Sequence, residues 1–531
     1  MQKRYPYVYL LILVLLLWTT SAIHAQFFNE PGLKITKLYD WIDNNYVDSV
    51  DLNKLNEELI KQLLQKMDPH STYISKNDVS TLNEQLQGNF DGIGITFSTI
   101  NDTVVIINVT KDGPSFKAGI KRGDRIVKIG NDNIAGMGSN SKKIYSKLRG
   151  KKGTEIIIGI KRPGSNDLLT FNIIRDKIPI QSVDAAYSIN DETGYIRLER
   201  FSATTNSELK TILAKFKSQK IKNIILDLSD NGGGYFDVAV NLVDEFLSSK
   251  KLIVYTKGFH SEKKEYFSTD IGSFENGKLV VIINEGSASA SEIVAGAIQD
   301  WDRGVIIGRR SFGKGLVQRQ FSFPDTSMLR LTIARYYTPS GRLIQKPYNK
   351  GYKEYTDDLS NRINNGELMG KETFSTTDSI KYLTLEKKRP VYGGGGIIPD
   401  IFVPLDTTGF SPYFIKLKSN SIISNFAVEY TDKNRNEFQT TFSDFQYFKN
   451  HFEISGKILD SLIKYADKHT IKYKEDEFKK AKPLITIQLK AYMAKDLWSQ
   501  SEFYEIYNES NKCFNKALEV LKHYNKYQIE K

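Results

Sequence analysis

Hydrophobic strand-like runs alternate with helix-like stretches between residues 195 and 308, and this alternation constrains the fold more than any other feature of the chain. Short apolar runs bounded by turn residues are typical of buried strands, and the segments between them have the spacing of helices. This order predicts a layered α/β domain. The strand-like runs are 223–228, 279–284 and 305–308, and the helix-like stretches are 236–247 and 291–301.

The chain has 531 residues, more than one hydrophobic core ordinarily organises, so several domains are expected in a multidomain α+β protein. Apolar residues recur at helical spacing before residue 88, short β runs with glycine punctuation follow, and long amphipathic helices occupy the C-terminal part. The predicted segments are a signal peptide (1–25), an N-terminal helical segment (26–87), a β domain (88–178), the α/β core (179–345), a polar insertion (346–389), a return strand of the core (390–409) and a mainly helical extension (410–531).

Charge and cysteine content exclude several classes of function. The net charge is +12, but 74 basic and 62 acidic residues are interleaved, and no basic helix or other nucleic-acid motif is present, so no nucleic-acid partner is expected. The single cysteine, Cys513, excludes a disulfide framework and a thiolate zinc site. The six histidines have no metal-ligand spacing, so we expect no metal ion. No organic cofactor is expected either.

The N-terminus has the layout of an export signal. Lys3 and Arg4 precede an apolar run at 7–18, which is followed by the polar residues 19–21 and by the small Ala25 before Gln26. The run is shorter than the roughly 20 residues that a spanning helix needs, which favours a cleaved signal over a permanent anchor. We expect an exported, periplasmic protein, with secretion or an uncleaved anchor as alternatives.

Residues 279–292 predict a buried strand, a tight turn of small residues and the start of a helix. A serine in that turn, such as Ser289, lies at a helix N-terminus, where unpaired N–H groups and the helix dipole favour developing negative charge. An oxyanion site needs such donors, because they stabilise the negative charge that develops on the substrate oxygen. The alternative is ordinary helix capping, since Ser291 followed by Glu292 is a common capping arrangement.

The next glycine-rich turn, 311–315, places Lys314 between two glycines. A lysine that acts as a general base must lose its proton near neutral pH, which requires about 3–4 kcal/mol of desolvation or charge repulsion. The apolar runs on both sides provide burial, whereas a surface lysine in a turn is the alternative. A phosphate-binding loop is excluded because Gly315 replaces the magnesium-binding hydroxyl and residues 316–321 alternate like a strand.

Taken with these turns, the run 286–293 and the residues 312–315 and Gln318 resemble the signature of the C-terminal processing peptidases, also called tail-specific proteases. The resemblance implies a crotonase/ClpP-like peptidase core with Ser289 as nucleophile, Lys314 as general base and Gln318 orienting the lysine. It also implies an oxyanion site built from backbone N–H groups of Ala290 and of Gly233 or Gly234. Further blocks match in family order at 68–71, 227–234, 337–345 and 396–401.

Three features depart from the family pattern. Ser229 stands where arginine is usual and Gly232 where proline is common, so we expect a more flexible loop and an oxyanion donor that the resemblance does not fix. The polar insertion and the helical extension are the third departure.

The β domain resembles a PDZ domain, with the carboxylate-binding loop at Gly92, Ile93, Gly94 and Ile95 and a pocket floored by Ile95 and Phe97. Successive backbone N–H groups in such a loop hold a terminal carboxylate while a strand edge pairs with the peptide. A plain hairpin turn is the alternative for the glycine loop alone.

Together these features predict a serine endopeptidase that captures protein substrates by exposed C-terminal tails and cleaves them through an acyl-enzyme. The alternative is a non-catalytic peptide-binding scaffold on the same architecture. An adaptor lipoprotein that delivers substrates and a homodimer are left open as partners.

Overall fold

The computed structural model describes residues 30–100, 102–134, 136, 141–370 and 380–529. The predicted signal peptide at 1–25 lies outside these residues. Within the described ranges, no helix combines the length and apolar character needed to cross a bilayer.

Helices dominate the two ends of the described chain, and strands dominate its middle. The helices are α1 (Glu30–Asn45), α2 (Leu52–Met67), α3 (Lys76–Gln87), α4 (Pro114–Lys117), α5 (Ser141–Leu148), α6 (Thr205–Ser218), α7 (Phe236–Asp244), α8 (Ala290–Asp300), α9 (Tyr352–Asn364), α10 (Pro412–Ser419), α11 (Ile422–Lys433), α12 (Arg435–Thr441), α13 (Phe445–His451), α14 (Gly456–Lys468), α15 (Glu475–Leu497), α16 (Gln500–Tyr507), α17 (Lys512–Lys522) and α18 (Tyr524–Ile529). The strands are β1 (Thr72–Ile74), β2 (Asn89–Gly92), β3 (Ile95–Ile100), β4 (Thr103–Val109), β5 (Arg125–Ile129), β6 (Asp132–Asn133), β7 (Glu155–Lys161), β8 (Leu168–Ile174), β9 (Asp176–Pro179), β10 (Val183–Asn190), β11 (Thr193–Leu198), β12 (Asn223–Asp227), β13 (Leu252–Gly258), β14 (Ser261–Phe267), β15 (Lys278–Ile283), β16 (Val305–Gly308), β17 (Leu316–Ser322), β18 (Met328–Tyr337), β19 (Lys381–Leu383), β20 (Pro390–Tyr392) and β21 (Ile401–Phe402).

A six-stranded sheet in the order β10-β11-β12-β15-β16-β21 forms the core, and all its pairings except β10 with β11 are parallel. The carboxyl ends of parallel strands meet at one edge of a sheet, where ligands of α/β proteins bind. The loops after β12, β15 and β16 therefore gather at that edge. The predicted layered α/β core is confirmed, with the return strand β21 as its last strand.

Both faces of this sheet are covered, which explains the continuous apolar run of β15. Leu279, Val281 and Ile283 pack against the cluster that includes α6, α7 and α8. Val280 and Ile282 point to the opposite face, where side chains of α17 and α18 pack on the strands. Buried on both faces, such a strand loses the alternating pattern of a half-exposed one. The C-terminal extension is thus part of the core packing.

A second sheet joins the N-terminal segment to the core. Its order is β1-β18-β13-β14, with β17 paired to β18. Thr72 in β1 lies opposite Arg330 in β18, and Leu316 at the start of β17 lies opposite Arg335. This sheet carries the strand that follows the Lys314 turn and brings residues 68–71 beside it.

The β domain is a sheet of β3-β4-β5-β7-β8, with β6 paired to β5, over its own apolar core. The separate pair β2-β9 closes the two ends of the domain where it leaves and rejoins the chain. The domain also contacts the C-terminal extension, because Arg125 pairs with Asp432 of α11 at 2.7 Å.

The segment predicted as a polar insertion is an ordered part of the fold over 346–370 and 380–389. Helix α9 buries Tyr355 and the charged Arg362, and β19 pairs with β20. Because one tyrosine and an ion-paired arginine anchor this helix, it has little of the apolar periodicity that identifies a helix in sequence.

Candidate active site

Ser289 lies between β15 and α8, half-buried, with φ 57° and ψ −110°. A positive φ is uncommon for residues other than glycine and is frequently found where function requires a strained backbone. All residues of α8 are buried, so the helix N-terminus at Ser289 is rigidly placed. The predicted strand, turn and helix are present as the sequence indicated.

The small side chains of this turn fix it to the loop after β12. The Ser287 hydroxyl donates to the Leu228 carbonyl at 2.8 Å, and the Ser291 hydroxyl donates to the Asn231 carbonyl at 2.8 Å. The Ala288 N–H also donates to the Asn231 carbonyl, at 2.9 Å. Ser287 and Ser291 therefore hold the two loops together, a role that the capping interpretation of Ser291 did not anticipate.

Glu292 connects the serine turn to the lysine turn. Its carboxylate accepts the N–H of Ser289 at 2.8 Å, as a capping glutamate would. It also accepts the N–H of Gly313 at 2.7 Å, the N–H of Lys314 at 2.8 Å and the hydroxyl of Ser311. Burial raises the pKa of this completely buried carboxyl, and the four donors oppose that rise. The sequence pairs Glu292 only with Ser291 in a helix cap and predicts none of these four contacts.

Tyr336 contacts the same two turns through their backbone carbonyls. Its buried hydroxyl lies 3.0 Å from the carbonyl oxygen of Ser289 and 2.7 Å from that of Lys314. One hydroxyl thus places the backbones of both residues side by side. Strand β18, which carries it, is 47 residues from Ser289 in sequence, and no local pattern marks this tyrosine.

Lys314 has the properties of an amine prepared to lose its proton. Burial lowers the pKa of its ammonium to about 8, and the charge of Arg330 acts in the same direction. Its Nζ donates to Gln318 Oε1 at 2.9 Å. The structure therefore brings together two of the three predicted catalytic side chains by a direct contact and places Ser289 in the adjoining turn.

Gln318 is oriented by the loop at 68–71. Its Nε2 donates to the carbonyl oxygen of His70. That loop is held by Asp68, which accepts the N–H groups of His70 and Ser71 at 2.8 Å each. With its amide nitrogen engaged, Gln318 turns its oxygen toward Lys314.

The predicted oxyanion loop lies against the serine. A Cβ on Gly233 would be 2.9 Å from Ser289 Cβ and 3.0 Å from the Ala290 nitrogen, so only glycine fits there. The N–H of Gly233 donates to Asn231 Oδ1 at 2.9 Å, so this predicted donor is already engaged. Gly234 has φ 152°, and a Cβ on it would be 2.0 Å from the Phe201 carbonyl oxygen. Ala290 and Gly234 are the remaining candidate donors.

The loop after β12 is held in place even though Ser229 and Gly232 differ from the residues that are usual in the family. Arg197 donates to Asp227 Oδ2 and to the Ser229 carbonyl oxygen, at 2.9 Å each. The ring of Tyr504 in α16 lies 4.9 Å from the Arg197 guanidinium carbon, so the extension reaches this support. The expected flexibility is therefore offset by Arg197, whose side chain is only 12% exposed and which the sequence did not single out.

The predicted carboxylate-binding loop lies between β2 and β3. Gly94 has φ 77°, its carbonyl accepts the Thr110 N–H at 2.9 Å, and Ile93 and Phe97 are buried in the domain core. Gly92 ends β2, and Ile95 begins β3, which is an edge strand. Helix α5 lies beside that edge, with Tyr145 and Phe97 rings 4.5 Å apart. A free strand edge beside a helix suits peptide binding by strand addition.

No group of three or more His, Cys, Asp and Glu side chains in the described part of the chain is arranged to hold a metal ion.

Comparison with known proteins gives matches over most of the chain. Residues 192–352 match the model of peptidase family S41, residues 92–174 match a PDZ domain, and residues 413–499 match a family of unknown function, DUF8443. The carboxy-terminal-processing protease of Bartonella bacilliformis is 36% identical over 351 residues, covering 63% of this chain and 80% of that protein. The carboxy-terminal processing protease CtpB of Bacillus subtilis is 34% identical, covering 59% and 65% respectively. Among solved structures, the photosystem II D1 C-terminal processing protease is 25% identical, covering 59% of this chain and 90% of its own, with a TM-score of 0.33.

Proposed function

The chain belongs to peptidase family S41 and is a serine peptidase with a PDZ domain, and we propose that Ser289 and Lys314 form its catalytic dyad against protein substrates captured by their C-terminal tails. The observation that carries this proposal is the half-buried Lys314 side chain, whose amine has a pKa lowered to about 8 and is oriented by Gln318 beside the Ser289 turn. A general base is most effective when its pKa lies near the working pH.

The chemistry proceeds through an acyl-enzyme. Neutral Lys314 takes the proton of the Ser289 hydroxyl as Oγ attacks the substrate carbonyl carbon. Backbone N–H groups of Ala290 and Gly234 hold the oxyanion, assisted by the N-terminus of α8. Lys314 then gives its proton to the leaving amine, and the peptide bond breaks. In the second half, Lys314 takes a proton from water, which attacks the ester, and returns it to Ser289 Oγ.

Substrate capture takes place in the PDZ domain. The terminal carboxylate binds the backbone N–H groups at Gly92, Ile93, Gly94 and Ile95, while the peptide adds to the free edge of β3. Ile95 and Phe97 floor the pocket for the last side chain. The tail then leads the substrate chain to the core.

The export-signal layout of residues 1–25 supports a periplasmic location. Secretion from the cell and an uncleaved N-terminal anchor are the alternatives. Homodimer formation is part of the proposal because apolar side chains of α1, such as Leu38 and Trp41, are exposed. Delivery by an adaptor lipoprotein is proposed only from the family resemblance.

The pH dependence of cleavage tests the base. Because the pKa of Lys314 is lowered to about 8, the neutral amine is the minor form at pH 7 and the major form at pH 9. We expect kcat/KM to rise about tenfold per pH unit up to about pH 8 and then to level off. A profile that is flat between about pH 6 and 9 would contradict a lysine base. Circular dichroism over the same range controls for unfolding.

Tail recognition is tested with two unfolded substrates that differ only in a free or amidated C-terminus. Charge-assisted hydrogen bonds to the carboxylate contribute about 1.5–3 kcal/mol, so amidation is expected to raise KM roughly 10- to 100-fold with little change in kcat. Gly94→Ala strains the loop at φ 77° and places a Cβ 3.2 Å from Ile178, so it should remove the difference between the two substrates.

Gly164→Ala is the matched control for this experiment. Gly164 has φ 80° in the same domain, with open space around the added Cβ. Its variant should still discriminate between the acid and the amide. Equal cleavage of both substrates by the unmodified chain would reject carboxylate capture, whereas Ser289→Ala should remove cleavage of both.

A further inference from the structure

Helix α9 of the insertion covers the turn that carries Lys314. Arg362 in α9 donates to the carbonyl oxygen of Arg310 at 2.7 Å and to that of Ser311 at 3.3 Å. Glu367 pairs with both Arg310 and Arg362, at 2.8 and 3.1 Å. All three charged side chains are largely buried, so the pairing fixes α9 against the turn.

Tyr355, one turn into α9, has its hydroxyl at the junction of two loops. The oxygen lies 2.6 Å from His70 Nε2 and accepts from Gln345 Nε2 at 3.3 Å. Gln345 Oε1 in turn accepts the N–H of Gly315 at 2.8 Å, directly after Lys314. Because Gln345 already donates to the Tyr355 oxygen, the Tyr355 hydroxyl proton is directed at His70 Nε2.

His70 has the protonation state that this contact requires. Burial lowers the pKa of its imidazolium to about 3, and the positive charges of Lys314 and Lys346 act in the same direction, whereas Asp68 opposes them. The ring is therefore neutral, and its Nε2 accepts the Tyr355 proton. The Lys346 ammonium lies 4.1 Å from the centre of the Tyr355 ring, which holds that positive charge close by.

A chain of hydrogen bonds links His70 to Lys314, the proposed general base. The carbonyl oxygen of His70 accepts Gln318 Nε2, and Gln318 Oε1 accepts Lys314 Nζ. If the loop at 68–71 shifted, the hydrogen bond from Gln318 Nε2 to the His70 carbonyl would break, and the Gln318 amide could rotate. Because the amide nitrogen is a donor, a rotated amide would face the lysine amine with the wrong group.

We propose that Tyr355 is a positioning residue for peptide hydrolysis, which holds the His70 carbonyl on Gln318 and so directs the Lys314 lone pair at Ser289. This inference rests on the proposed dyad and gives the insertion a role in catalysis. The Tyr355 hydroxyl bonds to His70 and Gln345 and not to the side chains of Ser289 or Lys314, so we expect its effect to pass through Gln318.

The test compares Tyr355→Phe with Tyr352→Phe, a change of the same type at an exposed position of the same helix. Loss of one hydrogen bond in this relay is expected to lower kcat about tenfold with KM changed less than about twofold, and to shift the midpoint of the kcat/KM pH profile. Tyr352→Phe should match the unmodified chain. A thermal midpoint shared by both variants excludes misfolding.

A second measurement separates positioning from general stability. In a Gln318→Ala background, Tyr355→Phe should cause no further loss of kcat, since residues that act in series are not additive. A further loss of about tenfold in that background, or an unchanged kcat and pH profile in the single variant, overturns the inference. Retained cleavage by Ser289→Ala would instead reject the dyad, so the two failures are distinguishable.

Discussion

Lys314→Ala is expected to lower kcat/KM for a tailed substrate by at least about 10⁴-fold, because removing one member of a catalytic unit typically costs that much. The variant loses the amine that Gln318 orients beside Ser289, while the backbone contacts of Lys314 to Glu292 and Tyr336 remain. KM should change little, since Lys314 acts on the reacting proton. The measurement is steady-state cleavage of an unfolded substrate near the Lys314 pKa of about 8.

Two further variants distinguish a role of Lys314 as general base from a role as a positive charge that only stabilises the fold. Lys314→Arg keeps the positive charge but cannot become neutral in this pH range, so it should be as inactive as the alanine variant. Lys350→Ala changes an exposed lysine and should retain full activity. Activity in Lys314→Arg within about tenfold of the unmodified chain would contradict the base assignment.

Glu292→Ala is expected to have the second largest effect, on both stability and rate. It leaves the N–H groups of Ser289, Gly313 and Lys314 without their acceptor in a completely buried site. Each unsatisfied buried donor costs about 1–3 kcal/mol, so the free energy of unfolding should fall by at least about 3 kcal/mol. With the two turns no longer joined, kcat/KM should fall at least about 10²-fold.

Urea unfolding and cleavage rates measured on the same samples test this expectation. Glu192→Ala is the control, because its exposed carboxylate pairs with the exposed Lys222 on the surface. It should match the unmodified chain in both measurements. A Glu292→Ala variant with unchanged unfolding and full activity would show that Tyr336 alone suffices to join the turns.

The fold class and the two turns that carry the proposed dyad were predictable because their signals are local. The apolar run of β15, the small residues after it and the glycines around Lys314 lie in one short stretch of the chain, from Leu279 to Gly315. Family resemblance then assigned the roles that such patterns leave open. The predicted PDZ domain was similarly indicated by a glycine loop followed by a β run.

The hydrogen bonds that support the site were not predictable, because they join distant segments, even where the resemblance had marked a segment such as 68–71. The His70 carbonyl that orients Gln318 is 248 residues away in sequence, and Tyr336 is one aromatic residue beside another at the end of β18. A glutamate at the start of a helix is ordinarily explained as a capping residue. Nothing in the sequence therefore indicates the contacts of Glu292 with Ser311, Gly313 and Lys314. In α9, ion pairs replace the apolar stripe that identifies a packed helix.

The predicted oxyanion loop shows the limit of residue-by-residue transfer from a family. The glycines at 233 and 234 occupy positions without room for a side chain, in agreement with the family pattern. Which N–H is available depends on Asn231, whose side chain engages Gly233. A pattern of residue types does not specify that hydrogen bond.

Covalent labelling by a fluorophosphonate, followed by intact mass and peptide mapping, tests the dyad most directly. The Ser289 oxygen displaces fluoride only when a base takes its proton, so labelling reports the nucleophile and its base without a substrate tail. We expect one adduct, on Ser289, at a rate that rises with pH up to about pH 8, and no labelling of Ser289 in Lys314→Ala. An adduct on another residue of an active chain, or equally fast labelling of Ser289 without Lys314, would contradict it.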